Sequence, residues 1–288
     1  MKISSNIIAD MTVSNMNLAN KRAGKAMQRL SSGLKINLAG DDPSGMAIAN
    51  KLSTQVKLLE QANTNAMDGI SMVQTAEGAL NEIHSMLNRM RELCVQSENG
   101  TLQPEDKEKI QEEVSALYKE IETIGKNTQF NKKSLLNTDE KMPIQIGTKS
   151  SHKINGGTTQ LIDSTQILEI DGTKINVEKQ ILATLDNIVG GGFLVDGKDL
   201  LKHIDDAVAK TSSIRGYLGA IQNRLEHTVA NIDVSSESTI TSLSRIQDAD
   251  MAEEMTNYTQ FNVISQAGIS MLAQANQRPQ QVLQLLNS

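Results

Sequence analysis

Residues 59–94 read LEQANTNAMDGISMVQTAEGALNEIHSMLNRMRELC, and one apolar row returns there every seven positions: Leu59, Ala66, Val73, Leu80, Leu87 and Cys94. A second row, Ala62, Gly69, Ala76, Ile83 and Met90, follows three residues behind the first. Spacings of three and four alternate around one face of a helix, which is the geometry of a coiled-coil seam. The helical pattern runs from Pro43 to Glu98, and a helix of about 55 residues is roughly 80 Å long at 1.5 Å per residue. A seam of that length needs equally long partners elsewhere in the chain. The predicted fold class is therefore mainly α: a long antiparallel helical bundle or coiled coil with a small β-hairpin insert.

The flanking segments supply those partners. Asp42-Pro43 predicts the start of the long helix, because Asp is a favoured cap and Pro is tolerated at the first helical position. Pro104-Glu105-Asp106 opens another helix, whose stripe of Ile110, Val114, Leu117, Ile121 and Ile124 makes it the natural antiparallel neighbour of the long one. From Asn127 to Lys198 the character changes: Asn155-Gly156-Gly157, Asp171-Gly172 and Gly190-Gly191-Gly192 are turn signals. Residues 144–146 and 167–171 read as short strands or a hairpin, and 177–189 as a short helix. Helical periodicity returns near Asp199 with Ile204, Thr211, Leu218, Leu225 and Ile232 seven apart.

Both ends of the chain are amphipathic helices that cannot bury their apolar faces alone, so they are expected to pair with each other. The first, over residues 3–33, carries Ile7, Ile8, Met11, Met16, Leu18, Ala23, Met27 and Leu30; the last, over 250–286, carries Phe261, Ile264, Leu272, Val282 and Leu286. From Phe261 to Ser288 only Arg278 is charged, and glutamines crowd the polar positions. A water-facing helix normally carries charge there. The terminal segments are thus read as self-association elements, with Ile7, Met11, Leu18, Leu30, Phe261, Ile264, Leu272, Val282 and Leu286 as the candidate contacts. On the long helix, Glu82, Met86, Arg89, Leu93 and Gln96 line a further face. That face is either a widening of the core or an outer contact surface.

Composition excludes several function classes. Aromatic residues make up 2% of the 288 residues, Trp is absent and the net charge is −6 without a Lys/Arg block, so nucleic acid is not an expected partner. No apolar run of about 18 residues predicts membrane insertion, and the first residues lack the apolar core of a secretory signal peptide. Cys94, the single cysteine, sits on the seam and is read as a small buried hydrophobe. His84, His152, His203 and His227 are scattered, and no zinc motif, phosphate loop, nucleophile elbow or Cys-x-x-Cys occurs. No catalytic residue, cofactor or metal is expected.

Several stretches resemble bacterial flagellin. Met27 to Asn37 (MQRLSSGLKIN) is similar to the family's RLSSG-x-x-IN signature, and Gly40 to Ala49 (GDDPSGMAIA) to its DD-x-x-G-x-AIA stretch. Ala66 to Asn81, Arg89 to Gln96, Asn127 to Asn131 and Ile246 to Leu286 follow the family as closely. The resemblance covers about 1–137 and 200–288, and the 138–199 segment is too short for the large outer domains of long flagellins. It implies a minimal flagellin. Residues 1–44 and 249–288 would form a terminal coiled-coil inner domain that includes the N-terminal spoke linker, and 45–248 a helical core domain with a short β/turn insert at about 138–199.

The same resemblance implies a structural, non-enzymatic subunit of the flagellar filament that self-assembles for motility through paired terminal helices, which stay disordered until assembly. It implies export through the flagellar type III apparatus and an extracellular location in the filament. Its partners would be further copies of itself, an export chaperone at the C-terminal segment, and the filament cap and hook-junction proteins. A Toll-like receptor that senses flagellin would contact Arg89, Leu93, Gln96 and Glu113, and cytosolic receptors the segment with Leu283, Leu285 and Leu286. In this chain Cys94 replaces the family's usual alanine, and Asn287-Ser288 its terminal basic residue. Two other functions stay open at this point: a hook–filament junction protein, and a non-flagellar helical coiled-coil signalling module.

Overall fold

The computed structural model describes residues 6–147, 167–185 and 197–286. The chain divides into two compact units, Met1–Val56 with Glu237–Ser288, and Lys57–Ser236. The divisions fall inside two continuous helices, α2 (Pro43–Ser97) and α5 (Gly197–Gln247).

In the 57–236 unit α2 and α5 run antiparallel. The Asn63 amide donates to Asp233 at 2.6 Å, Arg215 lies 3.7 Å from Glu77, and Arg91 pairs with Asp205 at 2.8 Å. Both heptad rows predicted on α2 are buried between these pairs, with Leu80, Ile83, Leu87 and Met90 fully enclosed. The matching row on α5, Ile204, Leu218, Leu225 and Ile232, is buried as well. Thr211, its polar member, is fully buried but donates its hydroxyl to the Ala207 carbonyl at 2.8 Å, so that hydroxyl is not stranded in the seam. Cys94 is buried, and loss of solvent, followed by the nearby Glu98 charge, pushes its thiol up to about 11. Helix α3 (Pro104–Asn127) adds Ile110, Val114 and Ile121 to the same core.

The insert folds onto this core as two small antiparallel ladders. β1 (Gln129–Phe130) and β2 (Lys133–Ser134) pair across Asn131 and Lys132, whose φ angles of 49° and 66° put both in the left-handed region that a two-residue hairpin turn demands. This hairpin was not predicted. The second ladder pairs β3 (Lys141–Gln145) with β4 (Ile167–Asp171) in the register Lys141↔Asp171 to Gln145↔Ile167. β4 lies where the sequence places it, but β3 starts three residues earlier than the predicted 144–146, because its pairing extends as far as Asp171. β3 approaches α2 at Gly69, where a Cβ would stand 2.6 Å from the Ile144 Cδ1. The glycine in the heptad row is the notch that seats the strand. Beyond β4 come α4 (Gly172–Ile175) and a π-helical turn, Glu178–Leu182, in place of the start of the predicted 177–189 helix. Residues 183–185 continue it as α-helix, while 186–189 and the Asn155–Gly157 and Gly190–Gly192 turns lie outside the described residues.

In the other unit α1 (Ile7–Ser32) and α6 (Met251–Leu286) lie side by side, as expected for the two ends. α1 ends at Gly33, whose φ of 73° closes the helix with its N–H on the Arg29 carbonyl at 2.8 Å. The outgoing and returning strands of chain then clasp. Lys35 N–H donates to the Gln247 carbonyl at 2.7 Å and Ala249 N–H to the Gly33 carbonyl at 3.0 Å, around a Leu34↔Asp248 bridge. Asp42 caps α2 as predicted, its Oδ1 accepting from the Ser44 and Gly45 N–H groups at 3.1 and 3.0 Å and from the Ser44 hydroxyl at 2.8 Å.

The clasp loop holds two carboxylates below their ordinary value of 3.8: Asp42 chiefly through the Gly45 N–H and the Ser44 hydroxyl, Asp41 chiefly through Lys25. A depressed folded-state pKa contributes stability that is complete above the unfolded value and is lost as pH falls through the folded one. As pH falls below the ordinary value of 3.8 the thermal midpoint of this unit should therefore drop. Asp42→Asn, which keeps a cap that does not titrate, should flatten that slope; equal slopes in calorimetry would contradict the assignment.

Candidate assembly surface and outer helix face

The α1–α6 pair is antiparallel and joined by specific polar contacts along its length. The Asn6 amide donates to the Ala275 carbonyl at 2.9 Å, the Ser265 hydroxyl to the Asn20 Oδ1 at 2.8 Å, and the Arg22 guanidinium stands 5.8 Å from the centre of the Phe261 ring. At the far end Arg29 pairs with the nearly buried Glu254 at 2.8 Å. Between these contacts the seam is made of small residues: Ala19, Ala23 and Ala26 on α1, and Ala275 on α6, are buried, and Gly268 faces Met16.

Most of the larger apolar side chains point away from this seam. Of the predicted self-association residues, Ile7, Met11, Leu18 and Ile264 are exposed, and Leu30, Phe261 and Leu272 are half-buried. Val282 and Leu286 lie on α6, with their side chains outside the described residues. Ile8, Met27, Met255, Val263, Ile269 and Met271 are exposed on the same two helices. Met255, Thr256, Thr259, Gln260, Val263 and Ile264 border an open groove of about 550 Å³. The 4-3 spacing of Ala19, Ala23 and Ala26 is legible in the sequence, but of the three only Ala23 belongs to the predicted stripe.

The second candidate face lies on α2 and α3. Arg89 Nε donates to Glu113 Oε1 at 3.0 Å, and its Nη1 to Glu92 at 3.2 Å, with all three side chains about half exposed or more. Gln96 is exposed. Leu93, expected on the same face, is instead 2% exposed and belongs to the core. It follows Leu87 and Met90 by six and three positions and joins them in the core cluster that also holds Ile110 and Val114. The structure thus brings Arg89 and Glu113 into contact, leaves Gln96 on the surface, and withdraws Leu93. Among the described residues no group of three or more His, Cys, Asp or Glu side chains is placed to hold a metal ion, and no helix is long and apolar enough to cross a membrane.

Residues 3–141 match the family model for the bacterial flagellin N-terminal helical region, and residues 201–286 that for the C-terminal helical region. The chain belongs to the flagellin family. It is 42% identical to the flagellin of Halalkalibacterium halodurans over 99% of this chain and 100% of that one, and 42% identical to the flagellin of Bacillus subtilis over the same shares. A solved structure from Vibrio parahaemolyticus, described as a flagellar hook-associated protein, is similar in fold at a TM-score of 0.53 and 18% identity, over 72% of this chain and all of that one. Flagellins are structural subunits of the flagellar filament and not enzymes.

The small-residue seam of this flagellin sets a spacing between α1 and α6 that a larger side chain would break. Ala23→Leu should cost about 1–3 kcal/mol by overpacking. Amide hydrogen exchange should quicken in α1 and α6 while protection in the 57–236 unit is unchanged; unaltered exchange in α1 would contradict the seam.

Proposed function

We propose that this flagellin polymerises through the outward faces of its α1–α6 pair, with Ile7, Met11, Leu18 and Ile264 among the contacts between copies. The observation that carries this reading is the crowd of exposed large apolar side chains on two helices that are already paired with each other. Apolar surface on that scale is unfavourable in water and marks an interaction site. The uncharged, glutamine-rich polar face of residues 261–288 supports lateral packing of like segments, since amides can pair across an interface without leaving buried charge. In this reading residues 1–44 and 249–288 form the inner assembly domain and 45–248 the surrounding core domain. Export proceeds through the flagellar type III apparatus, with a chaperone shielding the C-terminal segment, and cap and hook-junction proteins meet the two ends of the filament.

A second surface is proposed as the contact for an innate immune receptor that senses flagellin. Its support is Arg89, a half-exposed guanidinium fixed in place by Glu113 and Glu92. A pre-ordered arginine loses little side-chain entropy on binding and is a frequent centre of binding energy. Gln96 lies beside it, and Leu93 acts from beneath by fixing the helix surface.

Seeded elongation, followed by light scattering and electron microscopy, tests the assembly reading. The full chain should extend seeds into long filaments. The variants Ile8→Asp and Ile269→Asp, and a chain lacking 1–40 and 250–288, should not, while circular dichroism shows that the point variants keep their helices. Elongation by the shortened chain would overturn the reading. For the outer face, Arg89→Asp should reduce receptor activation by about tenfold or more; unchanged potency in a folded variant would remove the receptor proposal.

A further inference from the structure

Methionine is distributed unevenly between the two units. The 288-residue chain has 13 methionines. In the terminal unit Met11, Met27, Met251, Met255 and Met271 are 62%, 60%, 48%, 52% and 53% exposed. In the 57–236 unit Met67 is 59% exposed, Met90 is fully buried, and Met72, Met86 and Met142 pack against the core. The thioether is thus turned outward where α1 and α6 present their apolar faces, and mostly inward elsewhere.

We propose that Met11, Met27, Met251, Met255 and Met271 form an oxidant-sensitive modification site, at which peroxide converts the thioethers of the free subunit to sulfoxides and so blocks polymerisation. The inference rests on the assembly reading above. A sulfur lone pair attacks one oxygen of hydrogen peroxide and the O–O bond breaks. The departing hydroxide takes the proton from the transferred oxygen and leaves as water. Sulfur is oxidised by two electrons and peroxide is reduced by two. An exposed thioether reacts in this way without any catalytic group, and methionine sulfoxide reductases reverse the change with electrons from a thiol.

The consequence follows from polarity. Methionine is flexible and apolar, and it fills irregular gaps between packing faces. The sulfoxide is a polar acceptor that has to be stripped of water when two apolar faces close, without a donor assured in return. Met255 borders the α6 groove beside Val263 and Ile264, so its oxidation puts that acceptor among apolar side chains. Cys94 does not compete for the oxidant: it is buried and held as the thiol. Assembly would close the window, since a contact that covers these side chains also shields them from peroxide.

The test is peptide-mapping mass spectrometry combined with seeded elongation of the full chain. In the free subunit, limited peroxide should oxidise the five methionines and Met67 but spare Met90. In filaments the five should be protected, while the extent at Met67 and Met90 shows how far the protection is confined to the terminal faces. The oxidised subunit should show a critical concentration for elongation raised by at least about tenfold, and treatment with methionine sulfoxide reductases should restore it. A variant combining Met11→Leu, Met27→Leu, Met251→Leu, Met255→Leu and Met271→Leu should elongate equally well before and after peroxide. Should that variant fail to assemble at all, reductase rescue of the native chain decides the matter. If the five are protected in filaments yet the oxidised subunit elongates normally, or reductase treatment restores nothing, the switch is overturned and the assembly reading stands. If the five react as readily in filaments as in the free subunit, the assembly reading fails and the switch falls with it.

Discussion

An unbroken apolar row along α2 is the constraint from which the rest of the 57–236 unit follows. A helix of that length has no compact interior to hide in, so its apolar face must be covered by another helix running beside it. α5 does this antiparallel, and the polar pairs from Asn63–Asp233 to Arg91–Asp205 keep the two helices in register. Among the described residues, α3 and the β3–β4 ladder seated at the Gly69 notch cover further apolar surface. The exposed ion pairs contribute little individually. The continuous burial of Leu, Ile, Val and Met carries the stability, which suits a chain with almost no aromatic residues.

The terminal unit answers the same constraint differently. Its first helix meets the second largely through alanines, which bury little apolar area per residue. Long-range anchors such as Asn6–Ala275 and Arg29–Glu254 define the pairing, and the large apolar residues remain outside. A helix pair built in this way is cohesive enough to hold a register and still presents most of its apolar surface to whatever packs on it. The flagellin family, whose members are filament subunits, is one in which such an incomplete surface has an evident use.

One helix serves two purposes around residues 87–96. Leu87, Met90, Leu93 and Cys94 face the core, while Arg89, Arg91, Glu92 and Gln96 face water. The division is set by angular position on the helix, and the buried arc is wide enough to include Leu93. Because the core side is rigid, the Arg89–Glu113 pair on the outer side sits on a fixed platform rather than on a mobile loop.

The sequence by itself determined the helices and their limits. Heptad spacing, the Asp42-Pro43 and Pro104 starts, and the Gly33 stop act over a few residues, so they are legible without knowing what the chain touches. It also determined that the two ends would pair, that β4 would form at 167–171, and, through its motifs, the family. Only the tertiary structure decided which face of each terminal helix turns inward. A stripe containing both alanines and large apolar residues is compatible with either choice, and the outcome depends on how closely a partner far away in sequence can approach. The same holds for Leu93, whose row beside the seam could face either the core or water, for the start of β3, which depends on pairing with Asp171, and for the β1–β2 hairpin, whose two-residue turn carries no glycine to announce it. Local signals specify elements; the choice of face and register is made by contacts between residues remote in the chain.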